Sequence, residues 1–204
     1  MNKKDIVKII FIFMIAILGT VGITFGLLVD QTEVKTNVFV PGVLTASILE
    51  NGSIVSGNVS ALSLDDTTIE KRIQVKNILN PHEVDAYIRV VLVPVFRTDE
   101  GTLSADMLLA PDGNNIEISA PGGGSITLQL IDGWQDNWIF NNGYFYYKYV
   151  VPPGQNTAIL LNSIAASDSS LWDTFCLEAL SDAVQSECGA AYEAWGSIAN
   201  QLEL

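Results

Sequence analysis

The chain has few of the residues that most often carry catalysis or bind metal. It contains one histidine, His82, and two cysteines, Cys176 and Cys188. There is no H-E-x-x-H motif and no C-x-x-C pair, which argues against a zinc hydrolase, a zinc knuckle and a dithiol redox site. No G-x-S-x-G elbow accompanies His82, so a serine hydrolase is not indicated. We therefore expect no catalytic residue, no metal ligand and no cofactor, and we interpret His82 as a loop residue.

Positive charge is scarce as well. The chain has 10 lysines and arginines against 23 acidic residues, which gives a formal net charge of −13. Such a surface repels nucleic acid and anionic lipid, so a nucleic-acid partner is not expected. The acidic residues also lack the D-x-D-x-D-G spacing of a calcium loop, and this favours a solvated surface over a calcium site.

The two cysteines leave the oxidation state open. Both lie in the C-terminal part, and an exported chain meets an oxidising environment. Their spacing in sequence gives no geometry, so a disulfide between Cys176 and Cys188 and two free thiols are both compatible with the sequence.

The N-terminus is the most hydrophobic part of the chain. Three lysines precede an uncharged apolar run over residues 9–29, and acidic residues follow the run. About 20 apolar residues cross a bilayer as a helix, and the lysines are expected to stay on the cytoplasmic side. We predict that residues 1–29 are a signal peptide cut by signal peptidase, or a helix that anchors the chain in the membrane. Residues 30–204 are then a single extracellular or cell-surface domain.

The rest of the chain has the rhythm of a mainly β, antiparallel β-sandwich, because β-branched and aromatic runs recur between turn-forming residues. The predicted strands are residues 36–49, 69–78, 84–96, 124–131, 138–151, 157–164 and 174–184. In the third of these, Val84, Ala86, Ile88, Val90 and Leu92 alternate with polar positions and are assigned to the core. Arg89, on the other face, is expected to pair with a carboxylate. Residues 186–202 have helical spacing and predict a C-terminal helix.

The stretch NNGYFYYKYVVPPGQNT, residues 141–157, is dense in aromatic rings between two turn motifs. Alternation places Tyr144, Tyr146 and Lys148 on one side of a strand and Phe145, Tyr147 and Tyr149 on the other. This predicts a strand covered on both sides, or an edge that meets a partner. We select Tyr144, Tyr146 and Tyr149 as candidate contact residues, with a carbohydrate-stacking surface as the alternative.

Four segments in order resemble the TasA/camelysin family of exported proteins of Gram-positive bacteria. They are DQTEVKTNVFVPGVLTASILENG (residues 30–52), KRIQVKNILNPHEVDAYIRVVLVP (71–94), NWIFNNGYFYYKYVVPPGQNTAILLNSI (137–164) and LEALSDAVQSECGAAYEAWG (177–196). The resemblance covers nearly all of residues 30–204. It implies a jelly-roll β-sandwich with peripheral helical pieces and, for the best-known members, a fibre subunit of the biofilm matrix.

The resemblance also implies how subunits join. In such fibres an N-terminal segment, freed by a SipW-type signal peptidase, completes a sheet of the next subunit. The matching assembly strand here contains Val34, Thr36, Asn37, Val38, Phe39 and Val40. Its alternation suits strand addition, and an ordinary first strand within the monomer is equally compatible. Leu27 and Leu28 stand where the resemblance implies small residues before the cut, so a membrane-tethered ectodomain is an alternative.

The sequence thus predicts an exported, non-enzymatic structural protein, a subunit of a biofilm-matrix or cell-surface fibre. Its expected partners are copies of itself or related matrix subunits, joined through β-strand exchange. The resemblance also offers a surface metallopeptidase like camelysin, against which the scarcity of metal ligands argues. A membrane-tethered adhesin is the third alternative.

Overall fold

Two antiparallel β-sheets make up most of the chain that the structure describes. The structure is a computed structural model, and it describes residues 44–54, 67–79, 84–98, 101–104 and 110–203. All of these residues belong to one unit, Pro41–Leu204. The predicted mainly β class is confirmed in this part of the chain.

Eleven strands of the described residues build the two sheets. In chain order they are β1 (Ala46–Glu50), β2 (Ser53–Ile54), β3 (Thr68–Asn77), β4 (Ala86–Thr98), β5 (Gly101–Ser104), β6 (Asn115–Ser119), β7 (Ser125–Leu130), β8 (Trp138–Asn141), β9 (Tyr144–Tyr147), β10 (Leu161–Ala166) and β11 (Phe175–Gln185). One sheet has the order β2-β1-β3-β10-β7-β6. The other has the order β11-β4-β9-β8, and β5 pairs with the end of β4.

The helical elements of the described ranges are short. They are α1 (Trp134–Asn137), a 3-10 helix over Ser169–Asp173, α2 (Ala190–Trp195) and a 3-10 helix over Gly196–Gln201. The predicted C-terminal helix is therefore two short pieces, because the backbone at Gly196 has a φ of 71° and ends α2. Glycine adopts this conformation without a side-chain clash, and most other residues do not.

The two sheets share one apolar core, which makes the fold a β-sandwich. Ile73 and Val75 from β3 and Ile88 and Val90 from β4 are all buried in the same cluster. Each is one of an alternating set, so one face of each sheet is apolar, as the sequence predicts for residues 84–92. Full burial of such a side chain contributes about 1.5–3 kcal/mol to the free energy of folding.

A buried asparagine links strand β3 of one sheet to the ends of the other sheet. Asn77 is fully buried, and its side-chain amide donates hydrogen bonds to the carbonyls of Val84, at 2.9 Å, and Val151, at 2.8 Å. Val84 precedes β4, and Val151 pairs with Ala86 in an isolated bridge. These two bonds repay part of the cost of burying the amide.

The predicted strand boundaries differ from the observed ones where turns or short helices interrupt them. Residues 138–151, one β-rich run in the sequence, form the hairpin of β8 and β9 around the predicted Asn-Gly turn, and a second turn follows. Strand β6, over Asn115–Ser119, was not predicted. Its polar and apolar positions alternate, but only two apolar residues, Ile116 and Ile118, contribute to the pattern, so the signal is short.

The predicted membrane segment, residues 9–29, and the predicted assembly strand, Val34 to Val40, lie outside the described residues. Among the helices of the described ranges, none combines the length and the apolar character that a bilayer crossing requires.

Candidate interaction surfaces

The aromatic run lies in the hairpin of β8 and β9, at the side of the five-stranded sheet opposite β11. Asn141 pairs with Tyr144, and between them Asn142 and Gly143 have φ values of 50° and 83°. Two residues with positive φ form the tight turn whose twist matches that of the paired strands. Strand β9 then lies between β4 and β8, so it is not an edge strand of its sheet.

The inward rings of this hairpin belong to the sandwich core. Phe145 is buried, and its ring lies edge-on to Trp134 with 5.5 Å between centroids. The ring of Phe140 lies 4.9 Å from the same phenylalanine. Tyr147 lies 5.0 Å from the buried Trp138. These tilted and edge-on arrangements are the favourable ones for ring pairs.

The three candidate contact tyrosines do not form one surface. Tyr144 and Tyr146 point to the outer face of the sheet, and their centroids are 6.2 Å apart. Tyr149 lies beyond the end of β9 and packs edge-on against Tyr147 at 5.6 Å. Its hydroxyl donates to the carbonyl of Asp136 at 3.3 Å. Tyr146 is buried and the other two are partly buried, so all three have neighbours within their own chain.

Arg89 stands at the centre of the outer-face rings. Its guanidinium carbon lies 4.3 Å from the ring centroid of Tyr144 and 5.3 Å from that of Trp195. Its Nη2 and Nε atoms lie 2.8 Å and 2.9 Å from a carboxylate oxygen of Asp182, which confirms the predicted carboxylate partner. A guanidinium stacks on aromatic faces and binds a carboxylate in one plane, so both contacts fit a single arginine.

The protonation of Arg89 is secured by the same neighbours. Burial by itself lowers the pKa of Arg89, but the hydrogen bonds and charges of Tyr146 and Asp182 outweigh it and raise the pKa above its ordinary value. The arginine is therefore a permanent cation beneath the rings, and Asp182 balances its charge.

The C-terminal segment, residues 189–203, covers part of this outer face, and we refer to it as the C-terminal cap. Ala191, Ile198 and Leu202 of the cap pack against Tyr87 and Tyr146 in a cluster separate from the sandwich core. The indole N–H of Trp195 donates to the Asp182 carboxylate at 3.3 Å. The cap thus adds one ring and one hydrogen bond to the Arg89–Asp182 pair.

The end of the cap is also held by the sheet. The hydroxyl of Tyr87 donates to the carbonyl of Glu203 at 3.1 Å. The backbone N–H of Glu203 donates to the carbonyl of Lys148 at 2.8 Å. These bonds close the cap over the side of β9 that carries Tyr144 and Tyr146.

Strand β11 forms one edge of the five-stranded sheet. It pairs with β4 along its full length of 11 residues, and within the described ranges no strand pairs with its other edge. Leu180, at 54% exposure, is a large apolar side chain on this strand. A long strand edge with unpaired backbone groups is a template for pairing with another chain.

The described residues offer little for metal or redox chemistry. Among them no group of three or more histidine, cysteine or acidic side chains could hold a metal ion, and His82 lies outside them. Cys176 and Cys188 are free thiols, the first buried and the second exposed. Burial raises the pKa of Cys176, and the nearby carboxylate of Glu178 adds to the shift, so this thiol is protonated and unreactive at neutral pH.

No family model matches the chain, and no similar protein was found among curated sequences or solved structures. The proposals below therefore depend on the residues and their geometry, together with the resemblance described from the sequence.

The partners of Arg89 could not be assigned from the sequence. Asp182 is 93 residues away, and the two meet only because β4 and β11 pair in one particular register. The helical spacing around Trp195 predicted an apolar face but not the strand that it covers. The sequence indicated only that an arginine on the polar side of a strand pairs with a carboxylate, without indicating which one.

Proposed function

We propose that the chain is an exported, non-enzymatic structural protein, a subunit of a biofilm-matrix or cell-surface fibre that assembles by β-strand addition. In this proposal the sandwich has jelly-roll topology. The assembly strand around Val34–Val40 of one copy adds to the open edge of β11 in the next copy. Within the part of the chain that the structure describes, no strand pairs with the outer edge of β11, and this long open edge is the observation that carries the proposal.

The backbone N–H and C=O groups of β11 point alternately toward β4 and toward the open edge. The pairs that flank the ladder are hydrogen-bonded, since Arg97 donates to the Thr174 carbonyl and Ser186 donates to the Asp85 carbonyl. In an antiparallel ladder such pairs recur at every second residue, so the even-numbered residues of β11 bond to β4. The odd-numbered residues, Ala179, Ser181 and Ala183 among them, direct their N–H and C=O groups toward the open edge.

The side chains along this edge favour an incoming strand with one apolar face. Ala179, Ser181 and Ala183 are small and half-buried at the margin of the core. Small side chains leave room beside them for larger neighbours on an added strand. Val34, Thr36, Val38 and Val40 are β-branched and lie on one face by alternation, so that face suits the core side.

Charge favours the same orientation. Glu178 and Asp182 are exposed on the outer face of β11. Lys35 is the only charged residue among residues 34–40, and it alternates with the β-branched set. With the valines toward the core, Lys35 lies on the acidic face of the edge, where opposite charges on neighbouring strands attract. In this orientation the valines face the apolar core, and Lys35 faces the acidic side chains of β11.

The location follows from the same proposal. Assembly outside the cytoplasm requires export, for which residues 1–29 have the charge and hydrophobic pattern. A cut after this segment would free the assembly strand. An uncut segment would keep the domain on the membrane through residues 9–29, and only exchange between neighbouring tethered copies would then remain.

The test uses electron microscopy of residues 30–204 at neutral pH with two proline variants. Ser181→Pro removes an N–H that points to the open edge of β11 and keeps the even-numbered bonds to β4. Glu117→Pro is the matched control, because the bond from Leu130 N–H to the Asn114 carbonyl places the even-numbered residues of β6 toward β7. Glu117 therefore points its N–H to the open edge of β6.

We expect filaments from the unaltered domain and from Glu117→Pro. Ser181→Pro, and a domain without residues 30–40, should stay monomeric while keeping the far-ultraviolet circular dichroism of a folded β protein. Filaments from Ser181→Pro would contradict addition at β11. Persistent monomers of the unaltered domain would contradict the fibre function itself.

A further inference from the structure

The C-terminal cap is structurally separate from the sandwich that it covers. Its buried apolar residues, Ala191, Ile198 and Leu202, belong to a small cluster on the outer face of the sheet. Among the described residues, none from 189–203 belongs to the core between the two sheets. Loss of the cap would therefore leave the contacts between the two sheets in place.

A strained turn joins the cap to β11. Cys188 and Gly189 follow one another with φ values of 58° and 72°. Glycine adopts such values readily, but at Cys188 the β-carbon is crowded against the backbone. The closed cap thus holds this cysteine in a strained conformation, which an open turn would not require.

The cap cannot keep its own structure once it leaves the sheet. α2 has six residues and the following 3-10 helix has six. Isolated helices of this length are unstable in water, because few hydrogen bonds offset the cost of nucleation. Its order depends on the contacts with the sheet, among them those of Trp195 with Arg89 and Asp182.

We propose that the C-terminal cap is a conformational switch, which opens and unfolds as one unit while the sandwich stays folded. Opening uncovers Tyr87, Tyr144 and Tyr146 around the guanidinium of Arg89. The Arg89–Asp182 pair stays on the sheet, since both residues belong to paired strands. The uncovered surface is aromatic and carries a cation balanced by a carboxylate.

Hydrogen exchange of the full chain in detergent micelles tests the switch. The reporters are the N–H groups of Glu193, Leu202 and Glu203, which bond to the carbonyls of Gly189, Ala199 and Lys148. We expect these three to exchange with one common rate, faster than the strand amides of β10 by about tenfold or more, as for a local opening unit. Exchange of the cap no faster than that of β10 would overturn the proposal.

Three variants assign the opening to its contacts. Trp195→Phe keeps a ring over Arg89 but loses the N–H to Asp182, and Trp195→Ala loses both. We expect the cap to exchange faster by about threefold in the first and about tenfold in the second, with β10 unchanged. Cys188→Gly removes the strain of the closed turn and should slow exchange of the cap by about threefold.

These variants also separate the switch from general instability. If Trp195→Ala does not fold, Trp195→Phe and Cys188→Gly still have opposite expected signs. Equal acceleration of β10 and the cap in Trp195→Phe, or faster exchange of the cap in Cys188→Gly, would contradict the switch.

Discussion

The Lys71–Glu50 pair is the most buried ion pair among the described residues. The Lys71 ammonium lies 2.8 Å from a carboxylate oxygen of Glu50, and the two side chains are 4% and 13% exposed. Glu50 is on β1 and Lys71 is on the paired strand β3. Removing water from both charges costs free energy that their attraction roughly offsets, so the pair stabilises the fold less than its short distance suggests.

Removing the carboxylate of this pair should cost more than removing the buried ammonium. Glu50→Gln leaves Lys71 buried without an opposite charge, and we expect a loss of about 3 kcal/mol in the free energy of unfolding. Lys71→Met keeps the length of the side chain and leaves Glu50, which is more exposed, to reach water, so about 1 kcal/mol is expected. Urea denaturation followed by tryptophan fluorescence measures both. Equal losses would show that the pair contributes through attraction alone.

At the scale of elements, the turn between β6 and β7 packs closely against the segment that follows β10. Gly122 and Gly124 both have positive φ, of 91° and 86°. A β-carbon at Gly122 would meet open space, but one at Gly124 would lie 2.9 Å from the Ser167 hydroxyl and 3.2 Å from Leu171. Ser167 also accepts the N–H of Ser125 at 2.9 Å, so it cannot move freely.

The two glycines therefore form a matched pair for substitution by alanine. Gly122→Ala should cost about 1 kcal/mol from backbone strain alone. Gly124→Ala has the same strain and in addition displaces Ser167, so a total of about 2–3 kcal/mol is expected. Thermal unfolding by calorimetry measures the difference. A result in which the two variants are equally stable would mean that the contact with Ser167 relaxes without cost.

The sequence predicted individual strands and turns better than it predicted which strands pair. Alternation in residues 84–92 is a property of one strand, and it gave the correct core face for Ile88 and Val90. The Asn142-Gly143 turn is equally local, since both residues readily accept the positive φ that it needs. The pairing of β4 with β11 instead depends on contacts between distant residues, and no local pattern indicated that Asp182 would lie opposite Arg89.

The same limit applies to the candidate surfaces. The prediction that the aromatic strand is covered on both sides follows from rings at odd and even positions, and the burial of Phe145 and Tyr146 agrees with it. The open edge of β11 could not be predicted, because an edge is defined by the absence of a neighbouring strand. The roles of Val34–Val40 as an assembly strand and of residues 9–29 as a membrane segment stay predictions from the sequence.

At the scale of the whole molecule, burial of ionisable groups makes the stability of the fold decrease at alkaline pH. Burial is the main cause that raises the pKa of Tyr87, Tyr147 and Cys176 in the folded chain. Their ordinary values are 10.0 for tyrosine and 9.0 for cysteine. A group with a raised pKa binds its proton more tightly when folded, so its contribution is complete below the ordinary value and is lost as the pH rises through the folded value.

We expect the urea midpoint to be constant between pH 7 and pH 8 and to fall progressively above about pH 9, first from Cys176 and then from the tyrosines. Cys176→Ala should remove the part of the fall that begins near the cysteine value and keep the later part. A midpoint that rises with pH over this range would reverse the sign and contradict the assignment of burial as the cause.

The pairing of β4 with β11 over 11 residue pairs also has a mechanical consequence. A force applied along β11 would act on all the hydrogen bonds of this ladder in parallel, since the strand must slide past its neighbour before any bond is released separately. Ladders pulled in this shearing direction resist rupture far better than ladders peeled from one end, where the bonds break one after another. A filament joined at β11 would thus transmit tension along the whole ladder between β11 and β4.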